Sequence, residues 1–200
     1  MVMGKTSRVG KVHRATKETD IKLSIKLDGL GTTSIRTGVS FMDHMLTLFG
    51  VHGFFDLDIE GAGDTEVDDH HTVEDLGICL GQALKSAVGD MSGICRYGFS
   101  VIPMDEALAQ VTVDISNRPY LYFNVPIKDQ KVGTFDTALA KEFLRALALH
   151  AGLTLHIMVA HGENTHHILE AVFKALGRAL GQAVSINPRS KGPLSSKGLL

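Results

Sequence analysis

The stretch HHTVEDLGICLGQAL, residues 70–84, returns as HHILEAVFKALGRAL at residues 166–180. Just upstream, HGFFDLDI at 52–59 matches HAGLTLHI at 150–157. Each long block is amphipathic with the period of a helix, and each shorter block alternates as a strand does. Two segments that recur in the same order mark an internal duplication. The chain therefore reads as two copies of a β-β-(β)-α-β-α unit, an α+β fold with helices packed on one face of the sheets. The first half covers residues 1–93 and the second 94–186, and 187–200 is a Pro/Gly/Ser/Lys-rich irregular tail. The same alignment sets His44 against Glu142 and Asp58 against His156. The histidine outside the paired motif thus comes from a different element in each half, so any metal symmetry is approximate.

Local patterns predict the remaining elements. Residues 8–17 form an edge strand, and 18–28 alternates Ile21, Leu23, Ile25 and Leu27 against lysine and serine, a half-buried strand. A turn at 28–31 leads into a short strand near 33–36. Ser40 is an expected N-cap for a helix over 41–52, with Asp43 favourable in its first turn. Residues 55–60 form a strand, and the acidic run 66–69 leads into a helix over 70–88. In the second half, 99–104, 107–115 and 121–125 are strands, 135–150 is a helix, 153–159 a strand and 165–184 a helix.

Composition narrows the function. Two hundred residues with 44% apolar and 21% charged side chains suit a globular protein with a real core. A net charge of −2 argues against nucleic acid as the main partner. Two cysteines, Cys79 and Cys95, build no disulfide framework and suggest a reducing, cytoplasmic setting. No apolar run approaches the roughly 20 residues of a membrane span. Seven of the ten histidines (His44, His70, His71, His150, His156, His166, His167) fall in or beside the two repeated blocks.

The repeated motif is HHxxE. On a helix Glu74 lies about 40° around from His70 and about 60° from His71, while the two histidines stand about 100° apart. One helix therefore struggles to aim both imidazoles at a single ion, and two metal sites, each helix contributing to both, are expected. Imidazoles with one or two carboxylates suit Mn, Fe, Co, Ni or Zn, and without thiolates a structural zinc cluster is not expected. The candidate ligands are His44, His70, His71, Glu74, His156, His166, His167 and Glu170. Four protein ligands per ion would leave open positions for a substrate. A lone histidine at a helix start is ordinarily a cap or a surface residue, but a duplicated HHxxE is not explained that way.

A second group is basic. Arg96, Arg118, Lys174 and Lys197 sit at element boundaries or beside the metal motifs, and Lys174 follows Glu170 by one helical turn. Ser195, Ser196, Lys197 and Gly198 offer hydroxyls, N–H groups and an ammonium, a cradle for an anion. Singly each reads as a solvated surface charge, and together they suit a phosphorylated substrate. Glu18 opens the best N-terminal strand. Asp105 and Glu106 end a later strand as either catalytic or turn residues.

With both HHxxE blocks, DHML at 43–46, TLHI at 154–157, PMDEAL at 103–108, SNRP at 116–119 and the SSKG tail, the chain resembles the imidazoleglycerol-phosphate dehydratase family over nearly its whole length. The resemblance implies a cytoplasmic enzyme of histidine biosynthesis that dehydrates imidazole glycerol phosphate to imidazole acetol phosphate. It implies a duplicated β-β-α-β-β-α-type fold (ribosomal S5 domain 2-like) and two Mn2+ ions per active site. It further implies trimers packed into a 24-subunit shell, with active sites at subunit interfaces. The metal ligands carry over to the eight residues named above. Phosphate contacts carry over to Arg96, Arg118, Lys174, Ser195 or Ser196, and Lys197, and a substrate contact to Glu18. The chain departs from the pattern at Thr47-Leu48, where many members have Asp-Gln, and at Pro193-Leu194-Ser195-Ser196, where V-P-S-[ST]-K-G is commoner.

That reaction has no carbonyl beside the departing proton, so the imidazole ring must store the electrons. A metal-bound imidazolate that expels the adjacent hydroxyl through a diazafulvene-like intermediate is the expected route. Glu18 is the first candidate acid or base, with Glu74 or Glu170 assisting. A dinuclear hydrolase would instead need a metal-activated water, which simple phosphate esters would reveal as substrates. A metal-storage cage would have no use for the phosphate contacts.

Overall fold

Strict alternation in TDIKLSIK and the glycine-bounded run DLDIEGAG produces two paired strands, and the second half repeats the pattern. The structure, a computed structural model, describes residues 7–197. The first half runs β1 (Val9–Ala15), β2 (Thr19–Lys26), β3 (Thr33–Arg36), α1 (Ser40–Gly53), β4 (Asp56–Gly63) and α2 (His70–Val88). The second runs β5 (Tyr97–Met104), β6 (Ala107–Ile115), β7 (Tyr120–Asn124), the small pair β8 (Lys131–Val132) and β9 (Phe135–Asp136), then α3 (Ala138–Ala151), β10 (Leu153–His161) and α4 (Thr165–Val184). The two main sheets have the orders β1-β2-β4-β3 and β5-β6-β10-β7, the same topology twice. In each, the last strand by position pairs parallel to its neighbour, β3 with β4 and β7 with β10, and the others are antiparallel.

The inner faces of the sheets and the apolar stripes of the helices close one core. Ile21, Leu23 and Ile25 of β2 and Val111 and Val113 of β6 are buried, as are Leu76 and Leu80 of α2 and Phe173 and Leu176 of α4. Helices cross between halves: α2 packs on α3, and α1 on α4. A glycine in each outer strand permits close helix approach. A Cβ on Gly10 would sit 1.8 Å from the Ala83 carbonyl oxygen of α2, and one on Gly98 1.9 Å from that of Ala179 in α4.

Two local expectations are corrected. Ser40 is the first helical residue rather than the N-cap; Val39 holds that place, and the Asp43 carboxylate reaches back to the Thr37 N–H and hydroxyl. Phe135 lies in β9 rather than in α3. The helix starts at Ala138, whose N–H donates to the Asp136 carboxylate at 3.0 Å, while the buried Phe135 ring packs on Phe41.

Candidate functional site

Both HHxxE motifs open a helix, because a polar residue just before each satisfies its first free N–H. His70 N–H donates to Asp68 at 2.7 Å, and His166 N–H donates to the Asn164 side chain at 2.9 Å. This sets the imidazoles in the first turn, at the chain's surface, with Glu74 and Glu170 one turn deeper.

At the start of α4 a donor set closes within one chain. The ligand atoms of His44, His166 and Glu170 lie within 4.8 Å of one another, the one such group of three among the described residues. His44 comes from α1, which packs along α4. Glu170 is buried, with one oxygen 2.6 Å from Lys174 Nζ and the other 3.2 Å from His166 Nε2 and 3.5 Å from His44 Nε2. Burial pushes its pKa up, but Lys174 and His44 outweigh it and hold the carboxyl below its ordinary range.

At the start of α2 the counterpart is looser. His70 Nε2 stands 3.9 Å from Glu74. Glu142 of α3 lines the same cleft as His70, about 580 Å³ in volume. Arg145 spans the two carboxylates, 2.5 Å from Glu142 and 3.7 Å from Glu74. The contact with Glu142 Oε2 is not aligned as a hydrogen bond, and that buried oxygen has no hydrogen-bond partner. Glu142 is absent from the expected ligands, and its alignment with His44 is the sequence signal at that position.

The second histidine of each pair is held from behind. His71 Nδ1 lies 3.0 Å from Asp64, and His167 Nδ1 lies 2.7 Å from Glu106. A carboxylate only accepts, so each Nδ1 carries the proton and each Nε2 offers a lone pair when the ring is neutral. Those hydrogen bonds raise both histidine pKa values. Glu106 is driven down to about 2 by His167 first and by the Asn164 N–H next. Glu18 stays exposed, 4.0 Å from His71 Nδ1. Asp75, directly after the first motif, is structural: it accepts from Arg14 at 2.9 Å and from Thr19 at 2.5 Å, locking the hairpin that carries Glu18.

His156 lies elsewhere. Its β10 neighbours Leu155 and Ile157 face the core, so it projects from the opposite face of the sheet, where it stacks on Tyr122. Within one chain the expected phosphate contacts also divide. Arg96 takes Asp114 bidentately at 2.7 and 3.1 Å and donates Nη1 to the Leu194 carbonyl at 2.5 Å, and Arg118 stands 3.7 Å from the same Asp114. Ser195 accepts from Lys197 N–H at 3.2 Å, and Ser196 and Lys197 are exposed beside it. Gly198, the end of the expected cradle, lies outside the described residues. Lys174 is at the His166–Glu170 end of α4. Arg96 N–H donates to Ala183, so the Arg96 group sits at the other end of α4, a rise of about 26 Å from His166. Thr47, at the first departure from the family pattern, donates to the Asp43 carbonyl, and Leu48 packs against the core.

A family model for imidazoleglycerol-phosphate dehydratase matches residues 37–180. The chain is 60% identical over 187 residues to the imidazoleglycerol-phosphate dehydratase of Bacillus licheniformis, covering 94% of this chain and 96% of that one. It is 58% identical to that of Halalkalibacterium halodurans, covering 96% and 100%. Among solved structures it resembles the Staphylococcus aureus enzyme with a TM-score of 0.82 at 47% identity, covering 90% of this chain and 99% of that one. The Pyrococcus furiosus enzyme, solved in complex with (S)-C348, gives 0.83 at 42% identity, covering 94% and 100%.

Proposed function

The chain belongs to the imidazoleglycerol-phosphate dehydratase family, and from that premise we propose how its residues divide the dehydration among them. As a member it is a hydro-lyase of histidine biosynthesis. Its finer chemistry rests on one observation, the converging His44, His166 and Glu170 donors at the start of α4.

Imidazole nitrogens and a carboxylate already below its ordinary range suit a divalent ion such as Mn2+. We assign His44, His166 and Glu170 to one site and His70, Glu74 and Glu142 to the other. The Nε2 atoms of His71 and His167 complete the set, two ions per active site. His156 would serve only across a boundary between chains, since it projects from the sheet face that the helices do not cover. A bound divalent ion would supply Lewis acidity that eases loss of the substrate's ring N–H proton.

The protein's own groups then handle the remaining protons. Glu170 is poorly suited as an acid, because Lys174 and two histidines occupy its oxygens. Glu74 is engaged by Arg145 and His70. Glu18, exposed and 4.0 Å from His71, is the carboxyl free to protonate the departing hydroxyl or take the neighbouring carbon's proton. Arg96, Arg118, Ser195, Ser196 and Lys197 would grip the phosphate and fix the other end of the substrate.

A three-carbon chain between ring and phosphate cannot span about 26 Å of α4. A complete site therefore draws its phosphate grip and its metal ligands from different copies. That supports self-association into trimers and a 24-subunit shell. The outer face of the β5-β6-β10-β7 sheet, with Phe99, Tyr120 and Tyr122 exposed, supports it further. No described helix is long and apolar enough to cross a membrane, and we place the enzyme in the cytoplasm.

Protein stripped of metal should lose turnover of imidazole glycerol phosphate and regain it with Mn2+; full activity when stripped sinks the metal reading. His71→Ala and Glu170→Ala should each abolish turnover. Lys197→Ala should mainly raise KM, and a pure kcat loss would remove it from the phosphate grip.

A further inference from the structure

Asp64 and Glu106 hold equivalent histidines from non-equivalent places. Asp64 follows β4, at the entry to α2. Glu106 lies in the β5–β6 turn. The two hairpins share a register, with Gly10 paired to Ile25 and Gly98 to Val113, each glycine backed by its own helix. That register puts Glu106 at the position of Glu18. In the second half the hairpin glutamate holds the histidine directly, at 2.7 Å from Nδ1. In the first half it stands off at 4.0 Å, and Asp64 makes the contact at 3.0 Å instead. Asp64 is also tied to the hairpin through its own N–H, which donates to the Glu18 carbonyl at 3.1 Å. Its side chain is 22% exposed, against 57% for Glu18.

We propose that the duplicated hairpin glutamate has divided its work: Glu106 and Asp64 are positioning residues that present the Nε2 atoms of His167 and His71 to the metal, and Asp64 thereby releases Glu18 to face the substrate. The inference rests on the metal assignment above. A carboxylate that accepts from Nδ1 fixes both the tautomer and the ring orientation of a ligating histidine, and such partners are worth roughly 10–100-fold in metal affinity. The first half can spare its hairpin glutamate only because a second carboxylate covers Nδ1. Glu106 has no such freedom: its other oxygen accepts from the N–H groups of Glu163 and Asn164 at 3.2 and 2.8 Å, pinning it under the start of α4.

The test is titration of the full-length metal-stripped protein with Mn2+ alone, followed by calorimetry and by the spin-resonance signal of free Mn2+. Asp64→Asn and Glu106→Gln, which keep size and one acceptor oxygen, should each weaken Mn2+ binding roughly 10–100-fold. Glu18→Gln should leave Mn2+ binding unchanged while lowering kcat. Adding Glu18→Gln to Asp64→Ala should weaken binding beyond Asp64→Ala alone, because Glu18 is then the remaining carboxylate within reach of Nδ1. Asp64→Asn binding like the parent, or Glu18→Gln weakening Mn2+ as much as Asp64→Asn, overturns the division of work. A parent protein that binds no Mn2+ overturns the metal assignment itself. Thermal melts of the stripped proteins separate a lost α4 start from a lost ligand, and a Glu106→Gln protein that melts like the parent yet binds weakly supports the positioning role.

Discussion

Arg96 and Asp114 form a two-pronged ion pair, with Nε and Nη2 at 2.7 and 3.1 Å from the two carboxylate oxygens. The third nitrogen donates to the Leu194 carbonyl, so one buried guanidinium fastens the tail to the start of β5. Removing it leaves Asp114 with Arg118 alone, at 3.7 Å. Arg96→Met should therefore cost about 2–3 kcal/mol in denaturant unfolding. It should also expose the tail to proteolysis. Tail cleavage at the parent rate would show that Arg96 does not hold it.

Gly10 and Gly98 should be intolerant of any side chain. A methyl group at either would meet helix backbone rather than a yielding side chain. Gly10→Ala and Gly98→Ala should each lose about 2–3 kcal/mol or more, read as a lowered Tm. An unchanged melt in either would mean that the helix can lift away from its sheet.

Asp56 stabilises the turn before β3. Its carboxylate accepts from the N–H groups of Leu30 and Thr32 at 2.8 and 3.1 Å and from Lys26 Nζ at 3.0 Å. The Leu30 hydrogen bond first, then Lys26, bring its pKa from the usual 3.8 to about 2. A depressed carboxylate stabilises the fold above its unfolded pKa, and that contribution fades as pH falls through the folded value. Asp56→Asn should thus cost on the order of 1 kcal/mol, allowing for solvent screening, at neutral pH. The difference from the parent should shrink between pH 3.8 and about 2. Urea unfolding across that range measures it, and a gap that persists at the acid end would count against the charged contacts.

The two proposed metal sites should separate by mutation. Glu142→Ala should remove one class of Mn2+ binding and leave the other, and His44→Ala should do the reverse. His156→Ala should leave Mn2+ stoichiometry intact if no neighbouring copy uses it, and a lost equivalent would place His156 across a chain boundary.

The order of elements, the duplication and the place of each HHxxE at a helix start were legible in the chain. Periodicity is a local property, and the helices at 70–88 and 165–184 follow from residues a turn apart. Motif order likewise carried the family. Tertiary structure decided which carboxylate serves which histidine. Asp64 and Glu106 meet their imidazoles across 7 and 61 residues of chain, and no spacing rule links a turn aspartate or a distant hairpin glutamate to the histidine at a helix start. It also decided that Asp75, though next to the motif, ties down a hairpin, and that His156 faces away from the helices. Only three-dimensional placement puts the Arg96 cluster and the His166 cluster at opposite ends of one helix. Local sequence sets what a segment can become, but the convergence of polar groups depends on how sheets and helices stack, and that is a property of the whole packed core.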